Sequence, residues 1–148
     1  MENIIIKNMN KDHISILAEL EKSCFTQPWS EKSLAEELNN RTAHFLVAEK
    51  KTGEIMGYIG VFVVCESCYI SNIAVFPQYR RQGVGKTLIN SASETAKKLG
   101  AESISLEVRP SNTAAIMLYN MSGFEEVGLR KNFYRDPQED GLILTKTF

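Results

Sequence analysis

The 148-residue sequence predicts an α/β fold, a mixed and mostly antiparallel sheet of about seven strands flanked by about four helices. Two observations carry this. Apolar residues alternate with strand period in some runs and recur at near-helical spacing in others, in the order β-α-α-β-β-β-α-β-α-β-β. That order departs from simple βαβ alternation, so antiparallel hairpins are expected to flank one parallel pair. No repeat, low-complexity tract or Pro/Gly/Ser-rich linker divides the chain, which predicts one domain over residues 1–148.

The elements follow in order. "NIIIK" (3–7) is a short β-rich run, and Asp12 is placed to cap a helix carrying Ile14, Leu17, Ala18 and Leu20. Ser30 caps a second helix, with Leu34 and Leu38 one turn apart. "HFLVAEKKTGEIMGYIGVFVV" reads as two strands around a Lys51-Thr52-Gly53 turn, and a third strand over Tyr69 to Phe76 completes a meander. Pro77 stops it. Leu88, Ile89, Ala92, Ala96 and Leu99 then mark the strongest helix, ending at Gly100. "SISLEV" is a strand, Asn112 to Gly123 a helix, and "FEEVGLRKNFY" and "GLILTKTF" are the closing strands.

Composition excludes several classes. Seventeen basic against 18 acidic side chains give a net charge of −1, which predicts no direct nucleic-acid partner and no membrane surface. The longest apolar stretch, Ile55 to Cys65, is far short of a membrane span, and "MENIIIKN" lacks the apolar core of a secretory signal, so a cytoplasmic location is expected. Cys24, Cys65 and Cys68 are an odd number that suggests no disulfide framework. "CESC" has metal-like spacing, but only Cys24, His13 and His44 remain as scattered further ligands, so no metal is expected and the pair reads as a strand end or tight turn. Oligomeric state has no signature in the sequence.

"PQYRRQGVGKTL" (77–88) raises a phosphate question. A Walker loop needs glycine at position 80, which is Arg80, and a dinucleotide fingerprint needs one at 88, which is Leu88. The segment nevertheless lies between a strand end and the first turn of the strongest helix, where amide N–H groups lack internal partners and carry the positive end of the dipole. Gly83 and Gly85 keep Cβ atoms away, and Arg80, Arg81 and Lys86 add charge, so a pyrophosphate fits. A helix start with glycines for close packing and an exposed basic cluster fits as well from this segment alone.

Its neighbours narrow the choice. Arg80, Gly83 and Gly85 in R-x-x-G-x-G, preceded by "NIAVFPQY" and followed by "LEVRPSNTAAIMLYNMSGF", resemble the GNAT family of acetyl-CoA-dependent N-acetyltransferases. Within it, "PWSEKS", "NIAV", "RQGVGK", "LEVRPSN" and "LYNMSGF" are similar to the ribosomal-protein-alanine N-acetyltransferases of the RimI type. The resemblance implies a GNAT fold, acetyl-CoA as cosubstrate, and the amino-terminal segment of a ribosomal or other protein as partner. It implies that the backbone of Ile73, Ala74 and Val75 pairs with the pantetheine arm, and that Arg81, Gln82, Gly83, Val84, Gly85 and Lys86 cradle the pyrophosphate. Asn112 is implied as a cofactor contact, and local chemistry equally permits a helix cap.

Amide formation needs a neutral amine, a base for its proton and an acid for the departing thiolate. Glu107, between apolar strand residues, faces either solvent or a polar pocket suited to base work. Tyr119, one turn after Ile116, reads from spacing as core packing, and its phenol stays protonated at neutral pH. By resemblance Glu107 is the general base, directly or through water, and Tyr119 the general acid. Tyr134 is implied in the substrate pocket, where Phe133 replaces a tyrosine usual in the RimI pattern. Trp29 and Phe25 are placed either beside the acceptor or in the core. Two other readings stay open: a GNAT enzyme acting on lysine or a small amine, and a non-catalytic acyl-CoA-binding module. Turnover of acetyl-CoA with an amine separates enzyme from binder.

Overall fold

The element order is the one expected, and the computed structural model describes residues 3–148. Seven strands and four α-helices follow one another: β1 (Ile5–Asn8), α1 (Ile14–Cys24), α2 (Glu31–Glu36), β2 (Ala43–Glu49), β3 (Ile55–Val64), β4 (Ser67–Val75), α3 (Val84–Lys98), β5 (Ser103–Val108), α4 (Thr113–Met121), β6 (Glu125–Arg135) and β7 (Gln138–Thr147). They form one sheet ordered β1-β2-β3-β4-β5-β7-β6. Every neighbouring pair is antiparallel except β4 with β5.

The helix starts show how local chemistry sets boundaries. Ser30 caps α2, its hydroxyl accepting from Ser33 N–H at 3.1 Å. For α1 the expected cap, Asp12, is not the cap. A 3-10 turn over Lys11–His13 leads into the helix, and Asn10 caps it by accepting from Asp12 N–H at 2.8 Å. His13 Nδ1 accepts the Asn10 N–H in return at 3.0 Å, which places the imidazole proton on Nε2, facing Glu49 at 2.6 Å. Asp12 falls inside the first turn, where a carboxylate still complements the dipole. The third strand begins at Ser67, two residues before the expected start, because Cys65 turns the chain with φ 55°.

The sheet separates two apolar cores. On one face Leu88, Ile89, Ala92 and Ala96 of α3 and Tyr119 of α4 pack on Met56, Ile59, Val61, Ile104 and Leu106. On the other, Leu17, Leu20 and Leu34 of α1 and α2 pack on Phe45, Val47 and Tyr58. β4 serves both. Register with β3 slips between Val61, opposite Ile70, and Gly60, opposite Asn72, so Ser71 is an extra residue. Such a bulge inverts the side-chain alternation. Cys68 and Ile70 face the α3 core, whereas Ala74 faces the α1 core.

Asn72 joins a polar group within the α1 side. Glu21 is buried and accepts from Tyr58 O–H at 2.6 Å and from Trp29 N–H at 2.9 Å, while Asn72 Nδ2 donates to the Tyr58 oxygen at 2.8 Å. Burial, then the Glu21 charge, pushes the Tyr58 phenol well above its usual range. Trp29 is half-buried and tilts against Phe45 at 5.7 Å, while Phe25 lies exposed. No helix among the described residues is long and apolar enough to cross a membrane.

Candidate active site

Strands β4 and β5 pair over only three positions, Ser67 with Ser103, Cys68 with Ile104 and Tyr69 with Ser105. Beyond these they part. Ile70–Val75 remains bonded to β3 and Leu106–Val108 to β7, leaving a wedge with an unpaired strand edge on each side. Ile73, Ala74 and Val75 form the wide end of the β4 edge. Backbone groups there need partners, and an extended amide-bearing chain supplies them as an added strand would. The Val75 carbonyl is already taken by Arg80 Nε at 3.0 Å.

The chain leaving that edge enters the turn before α3. Arg81 (φ 62°) and Gly83 (φ 83°) adopt left-handed backbone, and Gly83 is the N-cap without any side-chain cap. Among the described residues, the amides of Arg81, Gln82, Gly83, Val84, Gly85 and Lys86 make no hydrogen bond to the protein; the first that does is Thr87, to Gly83 O at 3.0 Å. Unpaired donors at the positive end of a 15-residue helix suit an anion. Two details refine the sequence reading. Arg80 braces the turn, reaching Cys24 Sγ at 3.3 Å as well as the Val75 carbonyl, both neutral partners. Gly85 makes room for α4: a Cβ there would stand 3.0 Å from Leu118 Cδ2, whereas one on Gly83 would meet open space.

Glu107 lies on β5 with its side chain 5% exposed, on the face opposite the α3 core. Both oxygens are engaged. Oε1 accepts the Tyr69 O–H, and Oε2 pairs with Arg130 Nε at 2.8 Å. The Arg130 side chain is 60% exposed and reaches the carboxylate from solvent. Tyr69 is raised above the ordinary phenol range by burial and then by the Glu107 bond. Tyr134 is pushed up to about 12 by burial and then by the Glu107 charge. A buried carboxylate among neutral phenols can accept a proton and keep it away from water.

Tyr119 is 4% exposed and packs edge-on against Phe124 at 5.6 Å. Burial, then the charge Tyr134 would carry, raises its phenol. Its hydroxyl makes no hydrogen bond among the described residues, unlike those of Tyr58 and Tyr69. Asn112 caps α4 by accepting from Ala115 N–H at 3.2 Å, which leaves its amide NH₂ free.

The family model of the acetyltransferase (GNAT) family matches residues 14–124. The chain belongs to this family. As a GNAT enzyme it is an acetyl-CoA-dependent N-acetyltransferase. It is 44% identical over 143 residues to a candidate ribosomal protein bS18-alanine N-acetyltransferase of Bacillus subtilis (strain 168), covering 96% of this chain and 94% of that one. It is 36% identical over 127 residues to the ribosomal protein bS18-alanine N-acetyltransferase of Escherichia coli (strain K12), covering 84% of each. The crystal structure of the ribosomal-protein-S18-alanine N-acetyltransferase from Escherichia coli superposes with TM-score 0.87 at 31% identity, covering 98% of this chain and 94% of that one. Ard1 from Thermoplasma volcanium has TM-score 0.88 at 21% identity over 97% of each chain, a likeness of fold.

Several residues around this candidate site escaped the sequence reading. Tyr69 and Arg130 touch Glu107 from β4 and β6, on either side of β5, and only the strand order makes them neighbours. Tyr69 also sits before the Ser71 bulge, where the alternation still points it to the Glu107 face. Arg109 lies in the quoted "LEVRPSN", yet its side chain meets Tyr134, Asp136 and Pro137, all far along the sequence.

Proposed function

We propose that this chain, as a single GNAT domain, transfers acetyl from acetyl-CoA to the α-amine of the amino-terminal alanine of ribosomal protein bS18. One observation carries the chemistry: a buried carboxylate, Glu107, lies beside the wedge, bonded to the Tyr69 hydroxyl and close enough to Tyr134 to act on its phenol, and Tyr69, Tyr119 and Tyr134 are all raised by burial. The alanine acceptor is supported by similarity, over 84% or more of the chain, to relatives named for that activity.

The cosubstrate has two parts that match two surfaces. The free amides of residues 81–86, with the Arg81 and Lys86 side chains, take its pyrophosphate, and the β4 edge at Ile73, Ala74 and Val75 takes its amide-bearing arm. The free amide of Asn112 lies at the opening of α4 for a further contact. Tyr134 lines the acceptor pocket.

Glu107 accepts the amine proton, directly or through a water, as Arg130 yields its place on Oε2. The nitrogen lone pair adds to the thioester carbonyl, the C–S bond breaks, and Tyr119 gives its proton to the departing sulfur. Burial keeps that proton on Tyr119 until the thiolate asks for it. The proton held by Glu107 leaves to solvent while Tyr119 recovers one, so one proton passes in net from amine to thiol.

The pKa of the acceptor favours an amino terminus. An α-amine with pKa near 8 is roughly one-tenth neutral at pH 7, whereas a lysine near 10.4 is about 0.04% neutral. A peptide beginning with alanine and carrying an internal lysine is therefore expected to gain acetyl on its α-amine, as read by mass mapping of the products. Predominant lysine modification would overturn the alanine assignment.

A further inference from the structure

Arg109 follows the active-site strand by one residue and makes more contacts than any surface arginine needs. Its guanidinium donates to the carbonyl oxygens of Pro137 at 2.7 Å and Asp136 at 3.2 Å, the two residues that turn β6 into β7. The same group lies over the Tyr134 ring at 4.3 Å and pairs with Glu139 Oε1 at 3.3 Å. Glu139 in turn accepts from Ser111 N–H at 2.7 Å and Ser111 O–H at 2.9 Å, beside the cap of α4. One side chain thus ties the end of β5 to the hairpin tip and, through Glu139, to the start of α4. Across the sheet face, Thr26 O–H in the α1–α2 connection donates to the Asp136 carbonyl at 2.5 Å. The hairpin tip is thus held by both Arg109 and Thr26, and Arg109 also covers the Tyr134 ring.

We propose that Arg109 is the positioning residue of the acceptor pocket: it fixes the Tyr134 ring and the β6–β7 turn as one wall, so that acceptor binding depends on it and acetyl-CoA binding does not. The inference rests on Tyr134 lining that pocket. A guanidinium is required, because it must sit over a ring while its N–H groups serve two carbonyls and a carboxylate; a lysine ammonium is a point charge that satisfies fewer of these at a time.

Steady-state kinetics on the full chain test this with an alanine-initiated peptide and acetyl-CoA varied separately. Arg109→Met is expected to raise the acceptor KM about tenfold or more with acetyl-CoA KM within about twofold, and Arg109→Lys to restore less than about a third of that loss. Glu139→Gln, which loosens Arg109 while leaving its stacking in place, is expected to raise the same KM about threefold and gives the readout if Arg109→Met does not fold. Tyr134→Ala reports on the underlying reading. An unchanged acceptor KM in Tyr134→Ala removes Tyr134 from the pocket and the inference with it. A raised acceptor KM there, with Arg109→Met or Glu139→Gln unchanged, overturns the inference alone. An equal rise of both KM values in Arg109→Met also overturns it, since that marks general loosening.

Discussion

Replacing Gly83 by alanine tests whether the turn before α3 is built for its ligand. Gly83 is the N-cap at φ 83°, and an added Cβ would meet nothing within 4 Å, so the whole effect is conformational. An L-residue in left-handed backbone is disfavoured by roughly 1–2 kcal/mol. The stiffer unfolded chain returns about 0.4–1 kcal/mol of this to stability. If the turn holds its shape, about 1 kcal/mol is lost, which for a chain of this size lowers Tm by roughly 2–4 °C. If the turn relaxes instead, Tm is spared and the donor array is lost. Acetyl-CoA must then restore the strained shape on binding, and its Kd rises by about 5- to 30-fold. Thermal melting and titration calorimetry on the same sample therefore trade off against each other. Asparagine tolerates left-handed backbone, so Gly83→Asn is expected to recover most of either loss. Alanine at position 83 with Tm within about 1 °C and Kd within about twofold would refute the reasoning, as would asparagine faring no better than alanine.

The chemistry and the pH response yield two more expectations. Glu107→Gln and Tyr119→Phe are each expected to lower kcat by about 10²- to 10⁴-fold with acetyl-CoA affinity preserved, and losses below about threefold in both would return these side chains to packing roles. Tyr58, Tyr69, Tyr119 and Tyr134 all titrate above the ordinary phenol range in the folded state, chiefly through burial. Above about pH 10 the unfolded chain gives up those protons while the folded chain keeps them, so the stability present below that pH falls as pH rises. Urea midpoints measured at pH 9 and pH 11 are expected to fall, and a flat profile would contradict the burial of these rings.

Periodicity made the element order legible because each helix and strand is a local pattern with its own stop signal. Ser30, Gly53, Gly100 and Asn112 punctuate the chain where the structure turns or caps it. Glu21 shows what local pattern hides. A charge on an amphipathic helix reads as solvent-facing, and its burial is intelligible only once Tyr58 and the Trp29 amide arrive from elsewhere in the chain. Glu107 was legible as a carboxylate on a strand, but not its engagement by Tyr69 and Arg130, which depends on β5 lying between β4 and β7. The Ser71 bulge is a further limit: one inserted residue inverts the alternation, and nothing in "YISNIAV" marks it.

The brevity of the β4–β5 junction bears on how the molecule moves. Strands β1 to β4 form one antiparallel panel and β5 to β7 another, and three residue pairs are the backbone seam between them. A seam that short is expected to yield more readily than the long ladders within each panel. On the proposed reading, a ligand seated in the wedge would span both panels, and part of its binding free energy would go into damping their relative motion. Amides of Leu106–Val108 and Ile70–Val75 are then expected to slow their exchange together when acetyl-CoA binds, although they belong to different panels.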